Sequence, residues 1–179
     1  FFNDPPIKKI IADIVVDQNL GSKKKHYKKN YCSRVLTGRK FIMIRNEIKS
    51  LNRNKNKKKI LITIGGANNS KNLRIIYQLL KKIDKDLKNK INLIFTLNLN
   101  DFKKFKKLSR NFVNIKSELL VDSLNVWKFF PQVDFSINSA GVTSLELAYL
   151  GIPQIIFVTA NNQINNAKAL SKLGLGYFL

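Results

Sequence analysis

Residues 138–154 read NSAGVTSLELAYLGIPQ, and this stretch decides the fold. The run VDFSINS, which leads into it, reads as a buried strand. After the small residues, VTSLELAYLG is typical of a helix that ends at Gly151, and PQIIFVT is typical of a second buried strand. A strand, a small-residue turn, a helix and a strand in this order predict a βαβ unit with parallel strands.

The same alternation extends over residues 59–179. Strand-like runs are KILITIGG, INLIFTLN, FVNIK, VDFSINS and PQIIFVT. Helical patterns are NLRIIYQLLKKID, DFKKFKKLSR with Phe102, Phe105 and Leu108 on one face, VDSLNVWKFFP up to Pro131, and NQINNAKALSKLG up to Gly174. We therefore predict an α/β fold, a Rossmann-like parallel sheet with helices on both faces.

Residues 1–58 do not show this alternation of strand-like and helical runs. ADIVVDQN predicts a strand, LTGRKFIMIR predicts a turn and a strand, and NEIKSLNRNKNKKK predicts a polar link. We expect residues 1–20 to end an N-terminal domain, residues 21–58 to form an interdomain segment and edge, and residues 59–179 to form a C-terminal domain. The chain has no initiator Met and stops inside the strand-like LGLGYFL, which predicts a fragment cut at both ends.

Positive charge dominates the composition, because 33 Lys and Arg against 11 Asp and Glu give a net charge of +22. Two explanations stay open: a solvated surface in a chain rich in Lys, Asn and Ile, as AT-rich codons would produce, or an anionic partner. The clusters KNKKK (residues 55–59) and SKKKHYKK (residues 22–29) predict weak association with an anionic membrane surface. Nucleic acid is not expected as a partner, because no recognised binding motif or interleaved exposed aromatic residues accompany the charge.

The rest of the composition excludes several kinds of site. Cys32 is the only cysteine and His26 the only histidine, so the sequence predicts no disulfide framework, no metal and no cofactor. No apolar run reaches the roughly 18 residues that a membrane span requires, which predicts a soluble protein. A single cysteine fits the reducing cytoplasm best.

The loops that follow the strands are the places to search for a site, because ligands of open parallel sheets bind beyond the carboxyl ends of the strands. Gly65, Gly66 and Asn68 follow the strand KILIT and precede a helix. Glycines let the backbone approach a ligand, and a helix N-terminus offers N–H groups to an anion. A plain tight turn also explains these glycines.

The second loop, after VDFSIN, carries hydroxyl groups and a glycine. Ser139, Thr143 and Ser144 are suited to capping the helix or binding a phosphate, and Gly141 gives that phosphate room. We place Glu146 in the first helical turn, where the helix dipole stabilises a carboxylate but where the carboxylate would repel a phosphate. Both fit one ligand if the phosphate lies on residues 141–144 and Glu146 accepts hydrogen bonds from neutral hydroxyls, such as those of a ribose.

The third loop, after PQIIFVT, contains Asn162 and Gln163. Amide groups donate and accept, which suits the hydroxyl and amide groups of a sugar better than a bare phosphate. Taken alone, these residues are also an ordinary capped start of a helix.

Together, GGANNSKN, NSAGVTSLELAYLGIP and ANNQINNAKALSKLG resemble the C-terminal, nucleotide-binding half of the two-domain glycosyltransferase B architecture. The bacterial UDP-N-acetylglucosamine transferases that make lipid II have a similar order of small residues, Gly, Thr, Glu, Gly-Ile-Pro and Gln-x-x-Asn-Ala. A closer resemblance includes DIVVDQNLG, LTGRKFIMIRNEI and the Asn-Gln pair after TAN. It is to the UDP-sugar hydrolases of pseudaminic acid biosynthesis and their spore-coat polysaccharide relatives, and it covers nearly all of the chain.

The resemblance implies that residues 59–179 form a UDP-sugar-binding domain in which three loops meet. The residues that it assigns to the diphosphate and ribose are Ala140, Gly141, Thr143, Ser144 and Glu146. Those that it places along the cleft or beside the sugar are Gly65, Gly66, Asn68, Asn162 and Gln163. The first loop often has Asp at the position of Asn68. The His-Gln pair of the lipid II enzymes is replaced here by Asn162-Gln163, which favours the hydrolases.

The resemblance further implies an enzyme, a hydrolase that releases UDP from a UDP-linked diacetamido-trideoxy hexose. The alternative is a glycosyltransferase of the lipid II type, which transfers the sugar to an acceptor. The catalytic His of the hydrolases lies in a Gly-x-Gly-His segment that this chain lacks, and His26 is surrounded by lysines. The sequence therefore assigns no catalytic residue.

Overall fold

This computed structural model describes residues 11–27, 32–53, 59–64, 70–121 and 125–179. The described part of the chain contains eight strands and five α-helices. The strands are β1 (Ala12–Asp17), β2 (Cys32–Thr37), β3 (Lys59–Thr63), β4 (Ile91–Leu97), β5 (Ile115–Val121), β6 (Val133–Ser139), β7 (Gln154–Phe157) and β8 (Tyr177–Phe178). The helices are α1 (Asn46–Lys49), α2 (Ser70–Asp86), α3 (Leu99–Ser109), α4 (Val142–Tyr149) and α5 (Ile164–Lys172).

Strands β3 to β8 form one all-parallel sheet in the order β5-β4-β3-β6-β7-β8. The chain runs outward from β3 to β5, returns to the centre at β6, and then runs outward in the other direction. Helices α2 and α3 pack on one face and α4 and α5 on the other, as right-handed crossovers require. The predicted parallel sheet with helices on both faces is confirmed. Its reversal lies between β3 and β6, which is where such sheets bind ligands.

The parallel pair β1–β2 forms a separate small sheet that is fastened to α5. The backbone N–H of Leu20 donates to Asn166 Oδ1 at 2.9 Å. At Gly21 the two segments come so close that an added Cβ would lie 2.5 Å from Asn165 Cβ. Only glycine fits this contact, which brings the segment after β1 against the start of α5.

Aromatic and aliphatic side chains fill both faces of the large sheet. On the α2–α3 face, the rings of Phe95 and Phe105 meet edge-on with their centroids 4.7 Å apart. On the other face, Ile48 of α1, Phe130 and Leu147 of α4 are completely buried in one cluster. This cluster packs the segment around residue 45 against α4.

Four predicted elements differ from the structure. The polar link predicted at NEIKSLNRNKNKKK begins with α1 (Asn46–Lys49), because Ile48 is completely buried in the core. The strand predicted at FVNIK is β5, which begins at Ile115 and continues to Val121 because β4 pairs with it over seven residues. In the helix predicted at VDSLNVWKFFP, residues 122–124 lie outside the described residues, and the later part lies in a 3-10 helix (Val126–Gln132). This helix contains Pro131, whose fixed φ suits a 3-10 turn. LTGRKFIMIR, predicted as a turn followed by a strand, has the reverse order. It contains the end of β2, then a 3-10 helix (Arg39–Phe41), and then residues 42–45, which belong to no strand.

Gly151 follows α4 with a φ of 65°, and Gly174 follows α5 with a φ of 68°. Both helices therefore end as the sequence predicts, at residues whose left-handed backbone favours glycine.

We expect Gly151→Ala to lower the free energy of unfolding by about 1 kcal/mol, because alanine is strained at this φ. Gly141→Ala is the matched control, since Gly141 has a φ of −94° and an added Cβ would meet no atom within 4 Å. Its effect should stay below about 0.5 kcal/mol. Urea unfolding measures both variants, and equal midpoints for the two would contradict the prediction.

Candidate functional site

The N-terminus of α4 lies at the carboxyl end of β6, beside the central reversal of the sheet. Gly141 is the N-cap, and no side chain caps the helix. The first N–H groups of a helix have no acceptor within it, so those of Val142 and Thr143 are available to a ligand. Because an added Cβ on Gly141 would meet no atom within 4 Å, the backbone here is open to approach. These are the features of an anion-binding helix terminus.

Ser144 closes the first turn of α4 from the inside. Its side chain is completely buried, and its hydroxyl donates to the Gly141 carbonyl oxygen at 2.6 Å. The Ser144 backbone N–H donates to the same oxygen at 3.1 Å. The hydroxyl proton of Ser144 is thus used within the helix.

Glu146 lies in the second turn of α4, so its predicted position in the first turn is wrong. The helix starts at Val142, as predicted, and at 3.6 residues per turn its first turn ends before Glu146. A tight turn precedes the helix, in which the Gly141 N–H donates to the Ser139 carbonyl oxygen at 2.8 Å. Glu146 is completely buried. Its placement one turn further along leaves the helix N-terminus itself without a negative charge.

Arg45 is the partner of Glu146. Nε of Arg45 donates to Oε1 of Glu146 at 2.7 Å, and Nη2 donates to Oε2 at 2.9 Å. Two parallel bonds of this kind are the strongest arrangement of an arginine and a carboxylate. The hydrogen bond to Glu146 raises the pKa of the Arg45 guanidinium, against the opposing effect of burial.

The guanidinium of Arg45 is held on the second turn of α4 by its bonds to Glu146. Val142 and Glu146 are four residues apart, so they share one helix face about 6 Å apart along the axis. Helical side chains tilt toward the N-terminus, which brings the Glu146 carboxylate and its partner nearer to that end. The Arg45 side chain is 39% exposed, and only two of its five N–H groups bond to Glu146. The first two turns of α4 therefore combine free N–H donors with the positive charge of Arg45.

Buried side-chain amides bond to the loop between β6 and α4 and to the first turns of α4. Asn138 Nδ2 donates to Gln154 Oε1 at 2.9 Å, and Gln154 Nε2 donates to the Ser144 carbonyl oxygen at 3.0 Å. From the other side, Asn166 Nδ2 donates to the Ala140 carbonyl oxygen at 2.9 Å. Strands β6 and β7, α4 and α5 are thereby joined under the loop, which fixes its backbone.

The third loop lies beside the second, because Ser139 and Phe157 are paired at the ends of β6 and β7. It forms a 3-10 helix (Asn161–Gln163) in which Asn162 is exposed. Gln163 Oε1 accepts from the backbone N–H and the hydroxyl of Thr159, at 2.9 and 3.1 Å. The oxygen of Gln163 thus shapes the loop, while its NH₂ group and the Asn162 amide are suited to a ligand.

The structure places seven of the predicted residues in the segments that directly follow the adjacent strands β6 and β7. They are Ala140, Gly141, Thr143, Ser144, Glu146, Asn162 and Gln163. Those that lie outside the described residues are Gly65, Gly66 and Asn68. Residues 28–29 and 55–58 of the predicted membrane-binding clusters also lie outside them. The ligand contacts of all these residues remain predictions.

Arg45 and Asn166 belong to this site but were missed by the sequence analysis. The signal for Arg45 was Glu146 itself, since a glutamate within an apolar helix is almost never fully buried without a partner. The sequence does not say which of its 33 basic residues that partner is. The signal for Asn166 was its place as the Asn of the Gln-x-x-Asn-Ala order, to which the resemblance assigned no role.

Several proteins of known structure have a fold similar to that of this chain. No family model matches the sequence. An uncharacterised protein of Methanocaldococcus jannaschii is 29% identical over 87% of this chain and 34% of its own length. MurG of Acinetobacter baumannii superposes with a TM-score of 0.69 and 19% identity, over 93% of this chain and 52% of MurG. The chain has a glycosyltransferase B-type fold.

Two further structures with this glycosyltransferase B-type fold superpose over the same share of the chain. The glycotransferase of kitacinnamycin has a TM-score of 0.59 and 13% identity, over 93% of this chain and 42% of that one. The glycosyltransferase SnogD from Streptomyces nogalater has a TM-score of 0.57 and 14% identity, over 93% and 43%. The chain thus spans about half the length of MurG and about a third of the archaeal relative.

Within the described ranges, no helix has both the length and the apolar character needed to cross a bilayer. The same ranges hold no group of three or more His, Cys, Asp or Glu side chains placed to ligate a metal.

We expect Arg45 and Glu146 to be strongly coupled in stability. Arg45→Met leaves the buried carboxylate without a partner and should cost about 2–3 kcal/mol, whereas adding Glu146→Gln should recover at least about 1 kcal/mol. Urea unfolding of the wild type, both single variants and the double variant measures the coupling.

Lys59 and Glu118 provide the control pair, at 2.9 Å and with side chains 22% and 46% exposed. The same cycle there, with Lys59→Met and Glu118→Gln, should give a coupling below about 1 kcal/mol. Additive effects at Arg45 and Glu146 would contradict the prediction.

Proposed function

We propose that this chain binds the nucleotide part of a UDP-sugar, with the diphosphate at the N-terminus of α4 and beside Arg45. One observation carries the proposal: no side chain caps the N-terminus of α4, and the second turn of the same helix holds a guanidinium bidentately. Backbone N–H groups and a planar cation are complementary to phosphate oxygens. The glycosyltransferase B-type fold supports the choice of a nucleotide sugar.

In this proposal, the diphosphate accepts hydrogen bonds from the N–H groups of Val142 and Thr143. The Thr143 hydroxyl donates a further bond, and Gly141 leaves room for the phosphate oxygens. Arg45 donates through the N–H groups that do not bond to Glu146. Ala140 and Ser144 act by fixing the loop, since the Ala140 carbonyl and the Ser144 hydroxyl are already bonded.

The assignment of Glu146 to the ribose remains a prediction. Its side chain is 1% exposed, and each of its carboxylate oxygens accepts a bond from Arg45. A ribose hydroxyl reaches this carboxylate only if the guanidinium turns away from it, toward the diphosphate. We therefore propose that Glu146 first positions Arg45 and accepts from the ribose after that turn.

The sugar then lies toward the third loop. Asn162 is exposed there, and the Gln163 oxygen is fixed by Thr159 so that its NH₂ group is oriented. Hydroxyl and acetamido groups on a sugar match such amide donors and acceptors.

The proposed reaction breaks the bond between the anomeric carbon and the UDP oxygen. Negative charge grows on the departing diphosphate, where the dipole of α4 and the Arg45 guanidinium stabilise it. Water as the acceptor gives a UDP-sugar hydrolase, which the Asn162-Gln163 pair favours through its resemblance to the pseudaminic acid hydrolases. An alcohol acceptor gives a glycosyltransferase, which the likeness in fold to the glycotransferase of kitacinnamycin and to SnogD favours.

We expect Arg45→Gln to weaken UDP binding by about ten- to a hundredfold, because a charge-assisted contact contributes roughly 1.5–3 kcal/mol. Uridine, which lacks the diphosphate, should bind the variant no more weakly than the wild type. Titration calorimetry with both ligands makes the comparison.

Arg53→Gln is the matched control, since Arg53 bonds to the Gly151 and Val133 carbonyl oxygens, beyond the C-terminal end of α4. It should leave UDP affinity unchanged. Equal UDP affinity in the wild type and the Arg45 variant would refute the diphosphate assignment.

The reaction is decided by product analysis of the complete protein that the gene encodes, supplied with a UDP-linked diacetamido-trideoxy hexose. A hydrolase should release free sugar and UDP in equal amounts without any acceptor. If sugar leaves UDP only after an alcohol acceptor is added, the hydrolase proposal fails and the transferase stands.

A further inference from the structure

An apolar groove runs between α4, α5 and the segment of residues 39–49, away from the N-terminus of α4. Its main cavity has a volume of about 510 Å³, and an adjoining one of about 330 Å³ shares Leu20, Arg39 and Leu173 with it. Side chains that form the apolar lining include Ile42, Ile44, Leu145, Ala148, Leu170 and Leu173. This volume is in the range of cavities that hold small organic ligands.

Basic side chains stand at the edge of this groove. Arg39 and Lys49 line the main cavity, and Lys172 lines the adjoining one. All three are exposed, and no Asp or Glu of the described residues lines either cavity. In the described residues, the only hydrogen bond recorded for these three side chains is the one from Lys49 to Asn46, at 3.3 Å. An apolar floor with an uncompensated cationic edge is complementary to an anion that carries a hydrocarbon chain.

We propose that the groove binds the acyl chain of an anionic phospholipid at a bilayer surface, with its headgroup phosphate against Arg39 and Lys172. The long stems of both residues cover apolar surface while their charged ends remain in the headgroup region. Each cation near an anionic leaflet contributes attraction that is independent of the lipid's chain. The acyl chain of the lipid contacts the apolar floor of the groove. This contact distinguishes binding in the groove from attraction to the diffuse positive charge on the rest of the protein surface.

Tyr149 and Leu173 favour a bilayer over an acidic protein partner. Tyr149 is 54% exposed at the groove, and Leu173 and Leu175 are 45% and 38% exposed beside it. Tyrosine is enriched where a membrane meets water, because its ring is apolar and its hydroxyl is polar. A stable protein partner would need roughly 800 Å² of contact on each side, whereas this groove is a confined cavity with a small apolar border.

The test is co-sedimentation of the 179-residue chain with vesicles of phosphatidylglycerol or of phosphatidylcholine. The wild type should bind the anionic vesicles and not the zwitterionic ones. Arg39→Gln with Lys172→Gln should reduce the partition coefficient about thirtyfold, as expected for two lost cations. The matched control is Lys103→Gln with Lys107→Gln, two exposed lysines of α3 on the opposite face of the sheet. It should change the partition coefficient less than threefold.

A second pair of variants tests the acyl chain. Leu173→Gln should reduce the partition coefficient about fivefold, because a groove contact with the chain is lost. Leu99→Gln, which changes a 53% exposed leucine of α3, should leave it unchanged. Soluble glycerol phosphate at millimolar concentration should not compete with the vesicles.

Three results would overturn the proposal. They are equal binding to both kinds of vesicle, equal losses in the groove and α3 lysine variants, and full competition by glycerol phosphate. Circular dichroism of each variant confirms that a loss of binding is not a loss of folding. UDP affinity should be the same in all four variants, so this test is independent of the nucleotide proposal.

Discussion

The pairing of Arg45 with Glu146 constrains the rest of the site. A carboxylate within the core requires a hydrogen-bonded cation, and here that cation comes from a residue 101 positions earlier in the chain. The pair draws the segment before α1 across α4, and Ile48 then completes the hydrophobic cluster on that face. As a result, one partly exposed positive charge is held on the second turn of a helix whose N-terminus has no side-chain cap.

Buried and exposed polar groups have separate roles around the first two turns of α4. Asn138, Gln154 and Asn166 are buried beneath the loop between β6 and α4. Asn138 donates to Gln154, while Gln154 and Asn166 donate to backbone carbonyl oxygens of Ser144 and Ala140. Buried polar groups of this kind rigidify a structure when they are bonded. The donors that face outward belong to the first turn of α4 and to Arg45, and they are the groups that a diphosphate can approach. The same helix presents its later residues to the apolar groove, so α4 separates two surfaces of different chemistry.

Much of the fold followed from local pattern. The alternation of apolar runs with helical spacing predicted the order of strands and helices after residue 59, and Gly151 and Gly174 marked two helix ends correctly. The exceptions are elements whose form depends on a neighbour. Val121 belongs to β5 because β4 supplies a pairing partner, and Val126 and Phe130 favour a 3-10 turn because they are buried against α1 and α4. Local sequence carries no information on such partners.

The sequence by itself determined the fold class and the loops where a ligand is expected, because hydrophobic period and glycine position act over a few residues. It also marked Glu146 as unusual. Only the tertiary structure decided what Glu146 does, since its partner Arg45 is distant in the chain and one of many basic residues. Likewise, the groove exists only where α4, α5 and the segment before α1 meet. Contacts between distant segments depend on the folded path of the chain, and for that reason no local pattern of residues 138–154 contained them.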